Sequence, residues 1–523
     1  MKLLSSAVLI FLLSTVNSAK ILFVSVTPSP SHQKPFQQVW MSLASAGHEM
    51  HVVTPNPTNI TKSNLIQYDI SEVYRWVKQI EDNFKDNIKY SLQKPNFIET
   101  FTKEFMLARG WHALHSFAFD LPKIQKLIRN KPEIDLVIVE WLSPTFAVFA
   151  EYFQAPLVGI CSLGSPTYGL DAIGNYLNPI ATPDQNIPLS RSYYLNFRDR
   201  LLSALYAFWI RVLYRFHVLP QEDSLVKKHF GQNMTYLGNI QKNISLLLLN
   251  RNQIFHPIMP TVPGIIEFGG FEYNNIKQTL DEDLKAFLDN ASGGVIYFSL
   301  GAAIKQTRLL SEKNLDIFKK VLWNLDYKVL WKWENGTMDG APDRVLSRAW
   351  INQTAVLAHP NVKLFITQGG LQSIEEAIAA HKPIIGIPFH SDQTTNVDTC
   401  VKYGMGKMMD LEDLSEVTLK NNILEIVNNP SYAENARKLD ELMKDQPQDG
   451  LEKAIWWIEY VIRHKGARHL RSIAVDLPLW QYLMLDVFAF VFTVIFGFIF
   501  SVYVLAKLIL RVAFGRSKKI KAE

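Results

Sequence analysis

Short apolar, β-rich runs recur along the chain at Lys20–Val26, His51–Thr54, Leu136–Glu140, Leu157–Ile160 and Ser245–Leu249, and again at Gly294–Leu300, Lys328–Trp331, Val362–Thr367 and Ile384–Ile387. Runs of four to seven such residues fit strands buried on both faces. Segments with helical spacing lie between them. Pro35–Ala46 places Phe36, Val39, Trp40 and Leu43 on one face, with a proline early and Gly47 as a stop. Strands alternating with helices predict parallel sheets, so the fold class is α/β. The pattern runs through twice, predicting domains at 20-255 and 274-450. Pro257, Pro260, Pro263 and several glycines break both periodicities between Asn250 and Tyr273, where a hinge is expected. A chain of 523 residues suits two domains of ordinary size.

The two ends carry different patterns. Met1–Ala19 has a lysine, an apolar run from Leu3 to Val16 and then small residues, which predicts a cleaved secretory signal peptide. Val487–Ala506 is an unbroken apolar run of 20 residues, long enough to cross a bilayer as a single C-terminal transmembrane helix. The basic tail 507–523, with Lys507, Arg511, Arg516, Lys518, Lys519 and Lys521, is expected on the cytosolic side and the body in the lumen. That tail accounts for the formal net charge of +5, so the body carries no nucleic-acid footprint. The ending Lys519-Ile520-Lys521-Ala522-Glu523 is similar to dilysine retrieval tails of endoplasmic-reticulum membrane proteins; a generic stop-transfer cluster is the other reading. Asn-x-Ser/Thr sequons at Asn59, Asn233, Asn243, Asn290, Asn335 and Asn352 fit a lumenal glycoprotein. Cys161 and Cys400 are the only cysteines, so there is no disulfide framework. Asn196–Val218 is too interrupted to span. It reads either as a helix lying on the membrane surface, with arginines beside Phe208 and Trp209, or as a core helix with snorkelling arginines.

The stretch Trp350–Gln393 carries the most chemistry. The run Val362–Thr367 ends on Gln368-Gly369-Gly370, and a helical pattern with Ile374, Ala377 and Ile378 follows at once. A strand delivering glycines to a helix start is suited to phosphate: backbone approaches closely, and unpaired N–H groups and the helix dipole favour an anion. The next strand throws Ser391-Asp392-Gln393 to the same sheet edge, where ligands sit in open α/β sheets. This stretch resembles, without a gap, the nucleotide-sugar signature of the UDP-glycosyltransferases. The rest of the chain is similar to the membrane-bound UDP-glucuronosyltransferase branch, and QGGLQS to its insect members.

The resemblance implies a GT-B fold, two facing Rossmann-like domains with the acceptor bound by the first and the UDP-sugar by the second, and a return helix with Ala454, Trp457 and Val461 in the segment 451–486. It also implies roles. His32, six residues beyond the first strand and just before a helix, is the base; a side chain titrating near neutrality suits removal of an alcohol proton. Relatives place an aspartate behind it at the end of the strand that here ends on Glu140, so a His32–Glu140 dyad is expected with an arm one methylene longer. The other reading of Glu140 is a strand-end carboxylate in solvent; Asp135 lies at the wrong end. Trp350 would stack on uracil, Gln353 contact the nucleoside and Glu376 hold both ribose hydroxyls. Ser373 and Glu376 also fit a helix capping box needing no ligand. Gln368 stands where most relatives have a histidine on the diphosphate; with Gln372, Ser373, Gly369, Gly370, Ser299 and Gly301 it would form the phosphate cradle, and Ala302 replaces a serine. Asp392 and Gln393 would bind sugar hydroxyls, or Asp392 cap the helix Thr394–Tyr403. His359 is expected to be structural.

Asp281-Glu282-Asp283 suggests metal-binding carboxylates but opens an amphipathic helix, where acids complement the dipole, so no metal is expected. Gly404-Met405-Gly406 lacks the glycine and helix of a dinucleotide site. The expected activity is inverting transfer of a hexose from a UDP-sugar, UDP-glucose ahead of UDP-glucuronate, to small lipophilic hydroxyl compounds, with no cofactor beyond the co-substrate. The expected location is the endoplasmic reticulum membrane, with lipid as a partner and a homo-oligomer admitted. Alternatives are a UDP-sugar-binding membrane protein with little or no turnover, or a transferase for lipid acceptors such as ceramide.

Overall fold

A computed structural model describes residues 18–83, 97–184, 186, 187, 189, 195–270, 279–301, 305–389 and 391–519. Residues 1–17, where most of the expected signal peptide falls, Ala302 and the last four residues of the tail lie outside them. The chain divides into two compact units, Met1–Arg471 and Ser472–Glu523.

The first unit holds two wholly parallel sheets. One contains β1 (Lys20–Val24), β2 (Glu49–Thr54), β3 (Leu65–Asp69), β4 (Leu136–Glu140), β5 (Leu157–Cys161), β6 (Ile244–Leu249) and β7 (Ile265–Glu267), in the order 3-2-1-4-5-6-7. The other contains β8 (Val295–Ser299), β9 (Lys328–Lys332), β10 (Val345–Arg348), β11 (Val362–Thr367), β12 (Ile384–Gly386) and β13 (Gly406–Met408), in the order 10-9-8-11-12-13. Nine of these strands coincide with the apolar runs. The four that the pattern does not mark, β3, β7, β10 and β13, are the four sheet edges. An edge strand needs less apolar cover and is kept short or polar, so it loses the continuous signature. The segment expected as a hinge therefore contains β7, which pairs with β6 and extends the first sheet to Glu267.

The helices that position the site are α1 (Pro30–Ser45), α2 (Phe97–Asp120), α3 (Phe197–Leu213), α4 (Leu219–Phe230), α5 (Gln353–Leu357), α6 (Leu371–Ala379), α7 (Gln393–Lys402) and α8 (Gly450–Arg463). Helix α1 starts at Pro30 rather than Pro35, because proline is well placed in a first turn; Pro35 lies inside the helix. Ala454, Ile458 and Val461 of α8 share one core with Phe36, Val39 and Trp40 of α1 and Leu246 and Leu248 of β6. The chain thus returns from the second sheet to cover the first. Helix α3 has two apolar faces. Tyr206, Ile210 and Leu213 are buried, whereas Phe197, Leu201, Leu205 and Phe208 are exposed beside Arg198 and Arg200. Arg211 does not snorkel; it is paired with Asp171, Nε to Oδ2 at 2.6 Å.

In the second unit, α9 (Leu485–Lys519) has a stretch, Leu485–Val512, long and apolar enough to cross a membrane. At 1.5 Å per residue its 28 residues measure about 42 Å, more than the ~30 Å of a hydrocarbon core. For the first unit, Ile458→Ala is expected to cost ~2–5 kcal/mol by opening a cavity between α8 and the first sheet, read as an earlier thermal melt of the purified protein.

Candidate active site

Strand order reverses direction between β1 and β4 in the first sheet and between β8 and β11 in the second. At such a switch point the loops leaving adjacent strands part, and a crevice opens at their carboxyl ends. The first crevice receives His32 in the opening turn of α1 and the residue after β5, Ser162. The second receives Ser299–Gly301 after β8 and Gln368–Gly370 after β11.

His32 Nδ1 lies 2.7 Å from the hydroxyl of Ser162, which is fully buried. Glu140 is not at the imidazole, and it is not in solvent either. Its fully buried carboxylate accepts the Ser25 hydroxyl at 2.6 Å and the Thr27 amide at 3.3 Å. Gln33 braces the same turn through Nε2, donating to Ser25 Oγ at 2.6 Å and to the Thr27 carbonyl at 3.1 Å. The expected His32–Glu140 contact is therefore replaced by two others. The carboxylate at the end of β4 ties down the turn leaving the neighbouring β1, and the imidazole is met by a hydroxyl from β5.

On the facing side, Gly301 has φ +84° and Gly369 φ +88°, in the left-handed region. A Cβ on Gly301 would stand 2.3 Å from Gln368 Nε2, and one on Gly369 2.3 Å from Val397 Cγ2. Both turns thus require glycine. Ser299 is buried at the end of β8. Helix α6 begins directly after Gly370, so Ser373 is its third residue rather than its cap, and the capping box does not form. Instead Ser373 Oγ accepts Gln353 Nε2 at 2.9 Å. Glu376, also buried, accepts Gln353 Nε2 at 2.6 Å, Thr354 Oγ1 at 2.9 Å and, from the first domain, Lys34 Nζ at 2.5 Å. Trp350 leaves its indole 67% exposed, with Lys332 Nζ 5.3 Å above the ring. Lys332 also donates to the Gly301 carbonyl at 3.0 Å, and burial, followed by the charge of Lys34, lowers it to about 8.

Asp392 does not cap α7 with its side chain; it accepts Asn396 Nδ2 at 2.7 Å. Burial raises its carboxyl, against the pull of Asn396 and of His32 across the crevice. Gln393 is buried and accepts the Phe389 amide at 2.8 Å. Gln372 crosses the crevice, donating from Nε2 to the Ser162 carbonyl at 3.0 Å. Away from the site, His359 pairs with Asp289 at 3.0 Å, and Arg348 binds Asp281 at 3.2 Å and also Asp283. The acids at the start of that helix are thereby engaged.

One cavity of about 1990 Å³ is lined from both sides: by His32, by Gln368, Gly370, Gln372, Asp392 and Gln393, and further in by Trp111, Tyr168, Leu177, Tyr206 and Ile210. Its inner wall holds a buried cluster with no sequence motif. Glu222 of α4 takes His112 at 2.8 Å, His115 at 2.9 Å and Thr145 Oγ1 at 2.8 Å. Burial pushes the Glu222 carboxyl up, but the charge of His115 and the hydrogen bonds from His115, Thr145 and His112 outweigh it and hold the group at about 2. Sequence reasoning also missed Ser162, Lys34 and Lys332. Their spacing from the motifs carries no signal, because each is recruited from a different strand or helix.

The family described as UDP-glucoronosyl and UDP-glucosyl transferase matches residues 19–520. UDP-glycosyltransferase UGT5 of Dactylopius coccus is 31% identical over 97% of this chain and 96% of its own. UDP-glucosyltransferase 2 of the same insect is 30% identical over 99% of each, and UDP-glucuronosyltransferase 2B19 of Macaca fascicularis 28% identical over 90% of each. Among solved structures, glycosyltransferase VinC in complex with DTDP aligns with a TM-score of 0.55 at 14% identity, covering 85% of this chain and 99% of that one. At that identity the likeness is one of fold: GT-B, with two Rossmann-like sheets.

The Glu222 cluster sets a pH dependence. A carboxyl held at about 2 against an ordinary 4.5 contributes stability above about pH 4.5 that is lost as pH falls toward 2. The shift corresponds to a contribution on the order of 3 kcal/mol. Glu222→Gln is expected to melt earlier than the wild type near neutrality, with the gap closing between pH 4.5 and 2 in thermal scans.

Proposed function

The chain belongs to the UDP-glucoronosyl and UDP-glucosyl transferase family and is a UDP-glycosyltransferase; we propose that it transfers glucose from UDP-glucose, with inversion, to a hydroxyl of a small lipophilic acceptor. The observation that carries this reading is the single cavity lined by both His32 and the Gln368–Gly370 turn. The acceptor oxygen forms a bond to the anomeric carbon while the bond from that carbon to the diphosphate oxygen breaks, and the electron pair leaves with UDP. His32 takes the acceptor proton at Nε2, its Nδ1 being occupied by Ser162. Backbone N–H groups at the start of α6, with Gln368 and Gln372, meet the diphosphate, since an unpaired helix start favours an anion.

Trp350 presents an exposed ring for uracil, and Gln353, whose amide donates to Ser373 and Glu376, contacts the nucleoside. Glu376 takes the ribose hydroxyls; in this structure Lys34 holds one of its oxygens, so the ribose enters in exchange for Lys34. Asp392 and Gln393 face the sugar. The preference for glucose over glucuronate is supported by the insect relative named UDP-glucosyltransferase 2, at 30% identity against 28% for the macaque glucuronosyltransferase. The lipophilic acceptor is supported by Trp111, Leu177 and Ile210 in the inner cavity. The run Val487–Ala506 of helix α9 anchors the protein in the endoplasmic reticulum membrane as a single type I span, body lumenal, with Lys507 and the basic residues beyond it on the cytosolic side. The exposed apolar face of α3, with Arg198 and Arg200 beside it, has the composition of a helix that lies on a lipid surface.

The test is turnover of radiolabelled UDP-glucose and of UDP-glucuronate against a panel of phenols. UDP-glucose is expected to be the better donor, and His32→Ala to lower kcat by about 100-fold or more while UDP still binds. An active His32→Ala enzyme, or wild type that binds UDP and forms no product, would overturn the reading.

A further inference from the structure

The residue that orients the base is not the one the strand-end carboxylate suggests. We propose that Ser162 is the positioning residue of His32, holding its ring through Nδ1 so that Nε2 faces the acceptor, and that Glu140 serves the backbone turn instead. The proposal rests on the reading of His32 as the base.

Three observations carry it. The Ser162 hydroxyl is 2.7 Å from His32 Nδ1, and Ser162 is itself fully buried, so the serine side of the contact is shielded from water. Ser162 is itself fixed from two sides. Its carbonyl accepts Asn250 Nδ2 at 3.1 Å from the end of β6 and Gln372 Nε2 at 3.0 Å from the donor domain. A group that sets the direction of another side chain must have its own position determined, and this one has. Finally, Glu140 Oε2 is taken by the Ser25 hydroxyl and the Thr27 amide, in a turn that Gln33 braces, and Oε1 is buried without a hydrogen-bond partner among the described residues, so neither oxygen is bonded to His32.

The difference is chemical as well as geometric. When the Ser162 oxygen accepts from Nδ1–H, the ring is held in the tautomer whose Nε2 lone pair is free for the acceptor proton. A hydroxyl does this without bringing charge. The carboxylate that feels the imidazole is then Asp392, from the facing domain, whose carboxyl His32 pulls down against the effect of burial. The other charged groups nearby are committed: Lys34, on the same helix, to Glu376, and Glu140 to the turn. Because Gln372 grips the same serine, seating of the ring and approach of the donor half are joined through one residue.

The full-length protein in detergent is assayed as Ser162→Ala, Ser162→Thr, Glu140→Gln and His32→Ala, reading kcat, donor KM, UDP affinity and the acid limb of kcat/KM against pH. Ser162→Ala is expected to lower kcat about 10- to 100-fold and to displace the acid limb, with UDP affinity unchanged. Ser162→Thr restores both, and Glu140→Gln leaves the limb in place. Wild-type kcat and limb in Ser162→Ala, or a limb displaced by Glu140→Gln alone, overturns the assignment. If Ser162→Ala fails to fold, Ser162→Cys takes its place, since a thiol fills the space but hydrogen-bonds weakly, and the same loss is required of it. An active His32→Ala enzyme defeats the base reading itself; an inactive one beside a fully active Ser162→Ala defeats only the role of Ser162.

Discussion

Parallel strand pairing is the constraint from which the site follows. Parallel neighbours are joined by crossovers of one hand, so every strand in a sheet delivers its following loop to the same edge. Both sheets obey this, and both change direction beside their first strand, β1 against β4 and β8 against β11. The polar residues that the apolar runs exclude are therefore gathered at two crevices rather than scattered over the surface. Helix α8 then returns to the first sheet and shares its core, fastening the chain that leaves the second sheet to the first.

Within the crevices, close approach of backbone is as important as side-chain chemistry. The turns at Gly301 and Gly369 have no room for a Cβ, and their left-handed backbone would strain any other residue. Gln368 fills the space Gly301 leaves. The same economy of space explains why Ser373 does not cap α6: the glycine turn passes into the helix without a free residue between, and its hydroxyl turns to Gln353.

Polar groups also meet across the cleft. A lysine of α1 reaches a buried glutamate of α6, a histidine of α1 pulls down the carboxyl of an aspartate at α7, and a glutamine of α6 meets a carbonyl after β5. A buried carboxylate needs compensating donors, and Glu376 obtains them from both domains. The inner wall of the cavity shows the same principle in a second place, where Glu222 is surrounded by two imidazoles and a hydroxyl.

The sequence by itself determined the parallel architecture, the nine inner strands, the glycine turn before α6, the apolar C-terminal helix and the family. Each of these is written in contiguous residues: apolar runs, fixed offsets between glycines and a helix start, or a length sufficient for a bilayer. It did not mark β3, β7, β10 and β13, since an edge strand is too short or too polar to stand out. Nor did it supply the partner of His32. Glu140 sits at the right strand end, but which of its neighbours a carboxylate meets depends on the register of β4 against β1 and on what else fills the turn. Ser162, Lys34 and the Glu222 cluster were decided by tertiary structure alone. They are brought together over separations of 77 to 342 residues, and the free energy that selects them is packing and hydrogen bonding between elements, which local sequence does not carry.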